Sequence, residues 1–344
     1  MKNYRKTIIG SLLIIGLFTV SLMYPLYGDK DFHEEFYIYD KNGSIIDRAP
    51  TPPTLDHPLG TDRNGQDMVY IHLYGAKFTI AAVFTITALR ILIGVLTGIV
   101  IAIWLPGMKI YFKDFFLGFR YVPGLIIVLF LMAPVTGHYT GMSVWIAVAY
   151  QIGVLTLVAY PAIVILVIEF IEELQKKSFV LSSYLMGGSS FHILKKHMWP
   201  FLKSTGTLMI VQQILSTLVI IMHLGIFEYF LGGRTKGGIF TLPGDIPVAE
   251  TLSNEWGGLI GQNSRVMLQY PWMVLSTMVF FFFLIVVLNM MKKELEGNLE
   301  TDRIDFNSKR KKTKQLQADR SASPVAFRLI NDQKQGNDQN GFTG

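Results

Sequence analysis

The side chains that could do catalytic chemistry are few in this chain, and their spacing fits no catalytic pattern. There is no cysteine, which excludes disulfides, thiolate metal ligands and cysteine nucleophiles. The seven histidines are scattered, and His33 with Glu34 does not continue into the H-E-x-x-H pattern of zinc hydrolases. The glycine-rich string at 232–238 lacks the spacing and the Ser or Thr of a nucleotide-binding P-loop. We predict that the chain is not an enzyme and holds no metal or cofactor.

Two polar segments do stand out, and the first, residues 57–67, is called the motif segment below. Its residues are His57, Pro58, Leu59, Gly60, Thr61, Asp62, Arg63, Asn64, Gly65, Gln66 and Asp67. Pro58 and Gly60 predict a tight turn, and Asp62 or Asn64 can cap a following helix through a side-chain oxygen. We expect residues 66–78 to form a short interfacial helix that enters the membrane.

The second polar segment, residues 179–200, is called the elbow below. Its candidate contact residues are Leu181, Ser182, Ser183, Tyr184, Gly187, Gly188, Phe191, His192, Leu194, His197 and Pro200. Gly187 and Gly188 can end one short helix in the left-handed conformation, and a following serine can cap the next. Pro200 is expected to stop that second helix. The pattern predicts a helix–turn–helix that projects from the membrane, and an amphipathic helix on the inner leaflet is the alternative.

Both segments need a scaffold, and the composition indicates a membrane protein. Hydrophobic residues make up 51% of the chain and charged residues 16%, whereas soluble proteins average roughly 25% charged residues. A membrane-spanning helix needs about 20 mostly apolar residues. Such runs lie at residues 7–26, 79–105, 116–135, 142–170, 205–231 and 272–290. We therefore predict an all-α polytopic membrane protein with about six transmembrane helices.

The distribution of basic residues predicts the topology of these runs. Lys and Arg are concentrated before the first run, in the section at 171–204 and in the tail at 291–344. Cytoplasmic segments carry such an excess, so both termini and the elbow are expected in the cytoplasm. The formal net charge of +6 reflects this topology, and no nucleic-acid partner is predicted.

The chain divides into four parts on this interpretation. Residues 1–26 form the N-terminal end and first span, and residues 27–78 form an extracytoplasmic loop with the interfacial helix. Residues 79–290 form the transmembrane core, with its cytoplasmic section at 171–204 and an extracytoplasmic loop at 232–271. The tail at 291–344 is expected to be largely disordered. Asn42 and Gly43 suit the turn of a hairpin, so the acidic loop is expected to hold a small insertion.

Polar residues inside the apolar runs are candidates for a substrate pathway. They are Arg90, Gln151, Gln212, Gln213 and His223. A lipid-facing Arg near mid-span would cost roughly 2.5–3.5 kcal/mol on insertion scales, so such residues face the protein or a cavity. Two interpretations stay open here, namely hydrogen bonding between helices and lining of the pathway.

Together the two polar segments resemble the permeases of ABC importers, specifically the second permease of the oligopeptide, dipeptide and nickel group. That group's pattern H-P-L-G-T-D-x-x-G-x-D, then Y-G-A-[RK]-x-[ST], is matched at residues 57–67 and 74–79. In the elbow, Gly187 and Pro200 are in register with the signature E-A-A-x-x-x-G…L-P. Leu181, Ser182 and Ser183 replace its E-A-A. Residues 254–272 resemble the group's W-G-x-x-L…P-W segment.

The resemblance implies the type I importer permease fold and a defined set of partners. These are a second homologous permease, one or two ATP-binding subunits that hydrolyse ATP, an extracytoplasmic substrate-binding protein, and the lipid of a bacterial cell membrane. The elbow would dock into a groove on an ATP-binding subunit, with Tyr184, Phe191 and His192 as contacts. Phe191 and Leu194 would be the packed apolar anchors of the elbow.

Two functions of other classes remain as alternatives to an importer subunit. One is a permease-derived membrane scaffold or sensor that has lost transport, which the replacement at Leu181 and the long tail favour. The other is a secondary transporter that acts alone. A secondary transporter is expected to carry carboxylates at mid-span, whereas Glu169 and Glu228 lie near the ends of runs.

Overall fold

The computed structural model describes residues 4–27, 37–39, 45–119, 121–136, 143–235 and 249–321. In the N-terminal half its helices are α1 (Arg5–Tyr27), α2 (Met68–Ile103), α3 (Met108–Phe119), α4 (Gly124–Thr136) and α5 (Val144–Gln175). They are followed by α6 (Ser178–Leu185), α7 (Ser190–Ile193), a π-helical turn (Leu194–Met198), α8 (Trp199–Ile226), α9 (Trp256–Ser264) and α10 (Pro271–Ser321).

Within the described ranges, five helical stretches are long and apolar enough to cross a membrane. They are Arg5–Pro25, Met68–Ile103, Val144–Gln175, Ser190–Ile226 and Pro271–Thr301. A shorter apolar helix covers Gly124–Pro134. The all-α polytopic fold is therefore confirmed, and the count of about six spans stays a prediction.

Two of the predicted boundaries are wrong. The interfacial helix expected at 66–78 is the first part of the continuous helix α2, because no proline interrupts the chain there. The run at 116–135 is divided between α3 and α4. Pro123 lies at the break, where its missing N–H and its restriction of the preceding residue disfavour a helix.

Helix α2 is central to the packing of residues 3–295, which form one compact unit. It contacts α1, α5 and α8. A Cβ on Gly94 would lie 2.7 Å from the side chain of Ile163 on α5, and a Cβ on Gly98 would lie 2.7 Å from Val167. Glycines four residues apart let two helix backbones approach closely inside a membrane. The sequence therefore sets the α2–α5 contact at Gly94 and Gly98.

The ends of α3 and α5 are joined by an ion pair. Lys113 Nζ lies 2.9 Å from Glu172 Oε2, and Lys109 Nζ lies 3.6 Å from Glu172 Oε1. This contact brings α3 next to the start of the predicted cytoplasmic section at 171–204. With a cytoplasmic N-terminus, the loop between the second and third predicted runs is also cytoplasmic, so the prediction places both regions on the same side of the membrane.

A small hairpin follows the first helix, as expected for the insertion. Strand β1 (Tyr37–Tyr39) pairs antiparallel with β2 (Ile45–Arg48), and Tyr37 lies opposite Arg48. The predicted turn residues Asn42 and Gly43 lie outside the described residues.

The tail differs from the disorder predicted for 291–344, because α10 continues to Ser321. From Glu296 onward, the described residues belong to the second compact unit of the chain. Its helical part is rich in Lys, Arg and Gln, which lose little side-chain freedom in a helix and have high helix propensity. The prediction of disorder rested on the polarity of these residues and not on their helix propensity. Residues 322–344 lie outside the described ranges.

Candidate functional sites

The elbow has the predicted helix–turn–helix form. Helix α6 ends before Gly187, which adopts φ +83°, a conformation that glycine takes without steric cost. The Ser189 hydroxyl accepts a hydrogen bond of 3.3 Å from the backbone N–H of His192 and so caps α7. A Cβ on Gly188 would lie 2.8 Å from the Ser183 carbonyl oxygen. Gly187 therefore suits the turn by its left-handed conformation, and Gly188 by the close approach of the Ser183 carbonyl.

The buried base of the elbow differs from the predicted anchors. Val180, Ile193 and Met198 are at most 1% exposed and share one apolar cluster with α5. Phe191, predicted as a packed anchor, is 63% exposed, and Leu194 is partly buried. The prediction for Phe191 is wrong because the π-helical turn shifts the register, so that residues five apart share a face.

Pro200 was predicted to stop the second helix of the elbow, and this prediction is also wrong. Pro200 lies in the first turn of α8, which continues to Ile226. A proline inside an α-helix clashes with the carbonyl four residues earlier. The wider π-helical turn that ends at Met198 relieves this clash, since its hydrogen bonds span one residue more. The second helix of the elbow and α8 therefore form one uninterrupted helical stretch, Ser190–Ile226.

The outer side of the elbow exposes an apolar group that we call the knuckle. It consists of Leu181, Tyr184, Leu185, Met186 and Phe191, which are 40–81% exposed. Ser182 and His192 are exposed beside it, whereas Ser183 is buried and His197 is half-buried. Contiguous exposed apolar surface marks interaction sites.

In the motif segment, His57 and Asp67 are the residues that close the loop. His57 Nδ1 lies 2.9 Å from Asp67 Oδ2, and Asp67 Oδ1 accepts a hydrogen bond from Val69 N at 2.6 Å. Asp67 is therefore the cap of α2, and the predicted caps Asp62 and Asn64 are wrong. Asp62 instead turns the loop, because its Oδ1 accepts from the N–H groups of Asn64 and Gln66.

The predicted turn at Pro58 and Gly60 is confirmed, and it packs against the P-W pair of α10. Gly60 N donates to His57 O at 2.9 Å, and Gly60 has φ +75°. A Cβ on Gly60 would lie 2.8 Å from the Trp272 indole, whose Nε1 donates to Thr61 O at 3.3 Å. Leu59 packs against the core, and Gly65 makes the second left-handed turn.

The W-G segment packs on α2 directly below the motif segment. Trp256 is fully buried, its Nε1 donates to His72 O at 2.9 Å, and its backbone N donates to Thr79 Oγ1 at 3.0 Å. A Cβ on Gly75 would collide with the backbone carbonyl of Asn254. Three segments that are distant in sequence thus form a single packed unit.

Glu255 is a buried residue of this unit that the sequence analysis missed. Its carboxylate caps α9 by accepting from Gly257 N at 2.7 Å and Gly258 N at 2.6 Å, and it also accepts from Leu231 N at 3.3 Å. Burial raises the pKa of Glu255 to about 7, although the backbone donors act in the opposite direction. A carboxylate at the N-terminus of a helix is favoured by the helix dipole, and this preference could have revealed Glu255.

Comparison with known proteins gives relatives along most of the chain, whereas no protein-family model matches. The oligopeptide transport system permease protein OppC of Lactococcus lactis subsp. cremoris is 22% identical over 274 residues, which cover 79% of this chain and 82% of OppC. A Brucella suis protein whose name describes a peptide permease is 24% identical over 273 residues, 78% of each chain. The chain is a homologue of these permeases. The predicted resemblance is therefore confirmed.

A third homologue matches a shorter part of the chain. The oligopeptide transport system permease protein AmiD of Streptococcus pneumoniae is 22% identical over 158 residues, 44% of this chain and 49% of AmiD. These homologues are transport permeases and not enzymes. Together with the apolar helices they show a multi-pass membrane protein of the ABC importer permease type.

In this permease homologue, two of the predicted pathway residues form hydrogen bonds between elements. Arg90 is fully buried on α2, and it donates from Nε to Leu155 O at 2.9 Å and from Nη1 to Thr217 Oγ1 at 2.7 Å. Gln151 Nε2 donates to Phe230 O at 2.9 Å. Gln212, Gln213 and His223 are half-buried on α8. A role for these five residues in a pathway stays a prediction.

Proposed function

We propose that the chain is the membrane-spanning permease subunit of an ATP-driven importer for short peptides or a related small solute. It couples ATP hydrolysis by separate ATP-binding subunits to passage of the substrate. The observation that carries this proposal is the structure of the elbow. Its knuckle is apolar and exposed, whereas Val180, Ile193 and Met198 are buried against α5. Exposed apolar surface of this kind suits a protein partner.

Coupling requires that a displacement of the knuckle is not lost within a flexible loop, and three features support a rigid connection. Ile193 and Met198 fix the elbow to α5. The helical stretch Ser190–Ile226 is 37 residues long and continuous, so movement of its elbow end displaces α8 as a unit. Helix α6 is separated from α5 only by Lys176 and Lys177.

The other end of α8 provides a route towards the motif segment. A Cβ on Gly225 would collide with the backbone carbonyl of Gly257 at the start of α9, so the two backbones are in direct contact. The adjacent residue of α9, Trp256, is hydrogen-bonded to α2. We infer that force on the elbow passes through α8 and α9 to the side of the membrane that carries the motif segment.

The remaining components follow from the same proposal. A second, homologous permease pairs with this subunit, and an extracytoplasmic substrate-binding protein delivers the ligand. Both termini and the elbow lie in the cytoplasm of a bacterial cell, and the hairpin and motif segment lie outside.

A pull-down of the tagged protein from gently solubilised membranes tests this function, with the recovered partners identified by mass spectrometry. Recovery of a second permease together with ATP-binding subunits is the expected result, followed by ATP-dependent uptake of labelled short peptides in reconstituted vesicles. A clean preparation without any ATP-binding subunit would contradict the proposal and leave a membrane scaffold or sensor as the better description.

A further inference from the structure

The elbow has an unusual charge balance for a surface that binds another protein. Residues 176–204 contain five Lys, two His and no Asp or Glu. Lys177 pairs with Glu173 on the preceding helix at 3.2 Å. Lys195 and Lys196 are exposed, and among the described residues neither has an ion-pair partner.

These two lysines lie beside the knuckle and not on the opposite face of the helix. An open hollow of about 430 Å³ is lined by Ser189, Phe191, His192, Lys195 and Lys196. Its apolar wall is Phe191, the most exposed aromatic residue of α7. Apolar and basic groups therefore share one concave surface.

The third observation concerns the position of the missing acidic residue. Leu181 is 55% exposed and belongs to the knuckle, where the signature of the permease group has a carboxylate. A partner surface with a basic residue at this point would lose its ion pair. A basic partner surface would also meet Lys195 and Lys196 elsewhere on the elbow, and such like-charge contacts disfavour association.

We propose that the elbow binds an ATP-binding subunit whose groove has an apolar floor and an acidic rim. The knuckle enters the apolar floor, and a carboxylate of the rim enters the hollow between Lys195 and Lys196. This inference rests on the proposed function and adds the chemistry of the partner. It implies that the subunit pairs with a dedicated ATP-binding subunit.

A membrane surface rich in anionic lipid is the other occupant that basic and apolar groups attract. A helix that lies on a leaflet separates its apolar face, which enters the membrane, from its basic face. In the elbow the two kinds of group line the same hollow. A concave basic surface fits a protruding carboxylate better than a flat membrane, so the observations favour the protein groove.

Co-purification with the ATP-binding subunits at several salt concentrations tests the inference. Lys195→Gln combined with Lys196→Gln removes two positive charges from the hollow. Lys203→Glu, on the exposed surface of α8, changes the net charge by the same amount and is the control. Because rim charges act mainly on association, we expect the double variant to reduce recovery of the ATP-binding subunits on the order of tenfold. The control should recover them as the wild type does.

Salt provides an independent measurement on the unaltered protein. Raising the salt from about 0.05 M to about 0.5 M shortens the screening length, so recovery should fall for the wild type and for the control variant. The double variant should show little further decrease. All three proteins are first compared by size-exclusion chromatography and thermal unfolding, so that a folding defect is recognised.

Each outcome separates the inference from the proposed function. Equal recovery with all three proteins at every salt concentration would overturn the acidic rim and leave the importer intact. Failure of the wild type to recover any ATP-binding subunit would contradict the importer itself. Unchanged recovery together with selective loss of bound anionic lipid in the double variant would assign the hollow to the membrane and overturn the protein groove.

Discussion

The indole Nε1 of Trp272 donates a hydrogen bond to the backbone carbonyl of Thr61 at 3.3 Å, across 211 residues of sequence. The same ring leaves no room for a Cβ on the neighbouring Gly60. The polar segment before α2 and the start of α10 therefore depend on each other for their conformation. The sequence pattern at 57–67 therefore has a structural reason, because the turn at Gly60 packs closely against the Trp272 ring.

Gly60→Ala should destabilise the protein by about 2–4 kcal/mol. The residue has φ +75°, and an added Cβ would lie 2.6 Å from Thr51 O and 2.8 Å from Trp272, so strain and overpacking add. Thermal unfolding in detergent measures the effect. Gly107→Ala is the matched control, because nothing lies within 4 Å of its Cβ position. Equal stability of the two variants would contradict this account of the turn.

Arg90→Ala should lower stability by about 2–5 kcal/mol, because it empties a buried site and leaves Thr217 and the Leu155 carbonyl without their donor. Arg90→Met, which fills the space without the charge, should lose less. The measurement is thermal unfolding beside substrate uptake in vesicles. If Arg90 joins the helices, uptake and stability fall together across the two variants. Loss of uptake at full stability in Arg90→Met would instead place Arg90 in the pathway.

The stability of the protein should decrease as the pH rises from about 5 to about 7, through Glu255. Its pKa is raised from 4.5 to about 7 in the folded protein. The folded state therefore binds more protons than the unfolded state in this window, and the stabilisation is present below pH 4.5 and lost above pH 7. The shift corresponds to about 3 kcal/mol at most.

Glu255→Gln removes this titration and should flatten the dependence of the unfolding temperature on pH. Glu250→Gln, five residues before Glu255 in the same loop, is the control and should keep the slope of the wild type. An unchanged slope in Glu255→Gln would show that other groups cause the dependence.

The features that local sequence determines were predicted well, and the features that depend on register were not. The left-handed turn at Gly187 and the serine cap of α7 follow from local preferences. The buried pair Ile193 and Met198 does not, because a period of 3.6 residues cannot anticipate a π-helical turn. The motif segment was recognised as a turn, but its cap is Asp67 and not Asp62, since the choice between neighbouring carboxylates depends on tertiary contacts.

Gly187→Pro should uncouple ATP hydrolysis from uptake in the reconstituted importer. Gly187 has φ +83° with open space around it, whereas proline is restricted to about −65°, so the turn between α6 and α7 must change its direction. The buried base at Ile193 remains, and the permease should still insert and fold. ATP hydrolysis should therefore continue while labelled peptide uptake is lost, which is measured as the ratio of the two rates.

Gly187→Ala is the control for Gly187→Pro, because it removes the glycine without imposing the φ of proline. Nothing lies within 4 Å of the added Cβ, so the alanine costs only the strain of the left-handed conformation, about 1–2 kcal/mol. If the folded protein tolerates this strain, the elbow keeps its direction and coupled uptake should be largely retained. Normal coupling in Gly187→Pro would show that the direction of the knuckle is not what transmits ATP hydrolysis to α8.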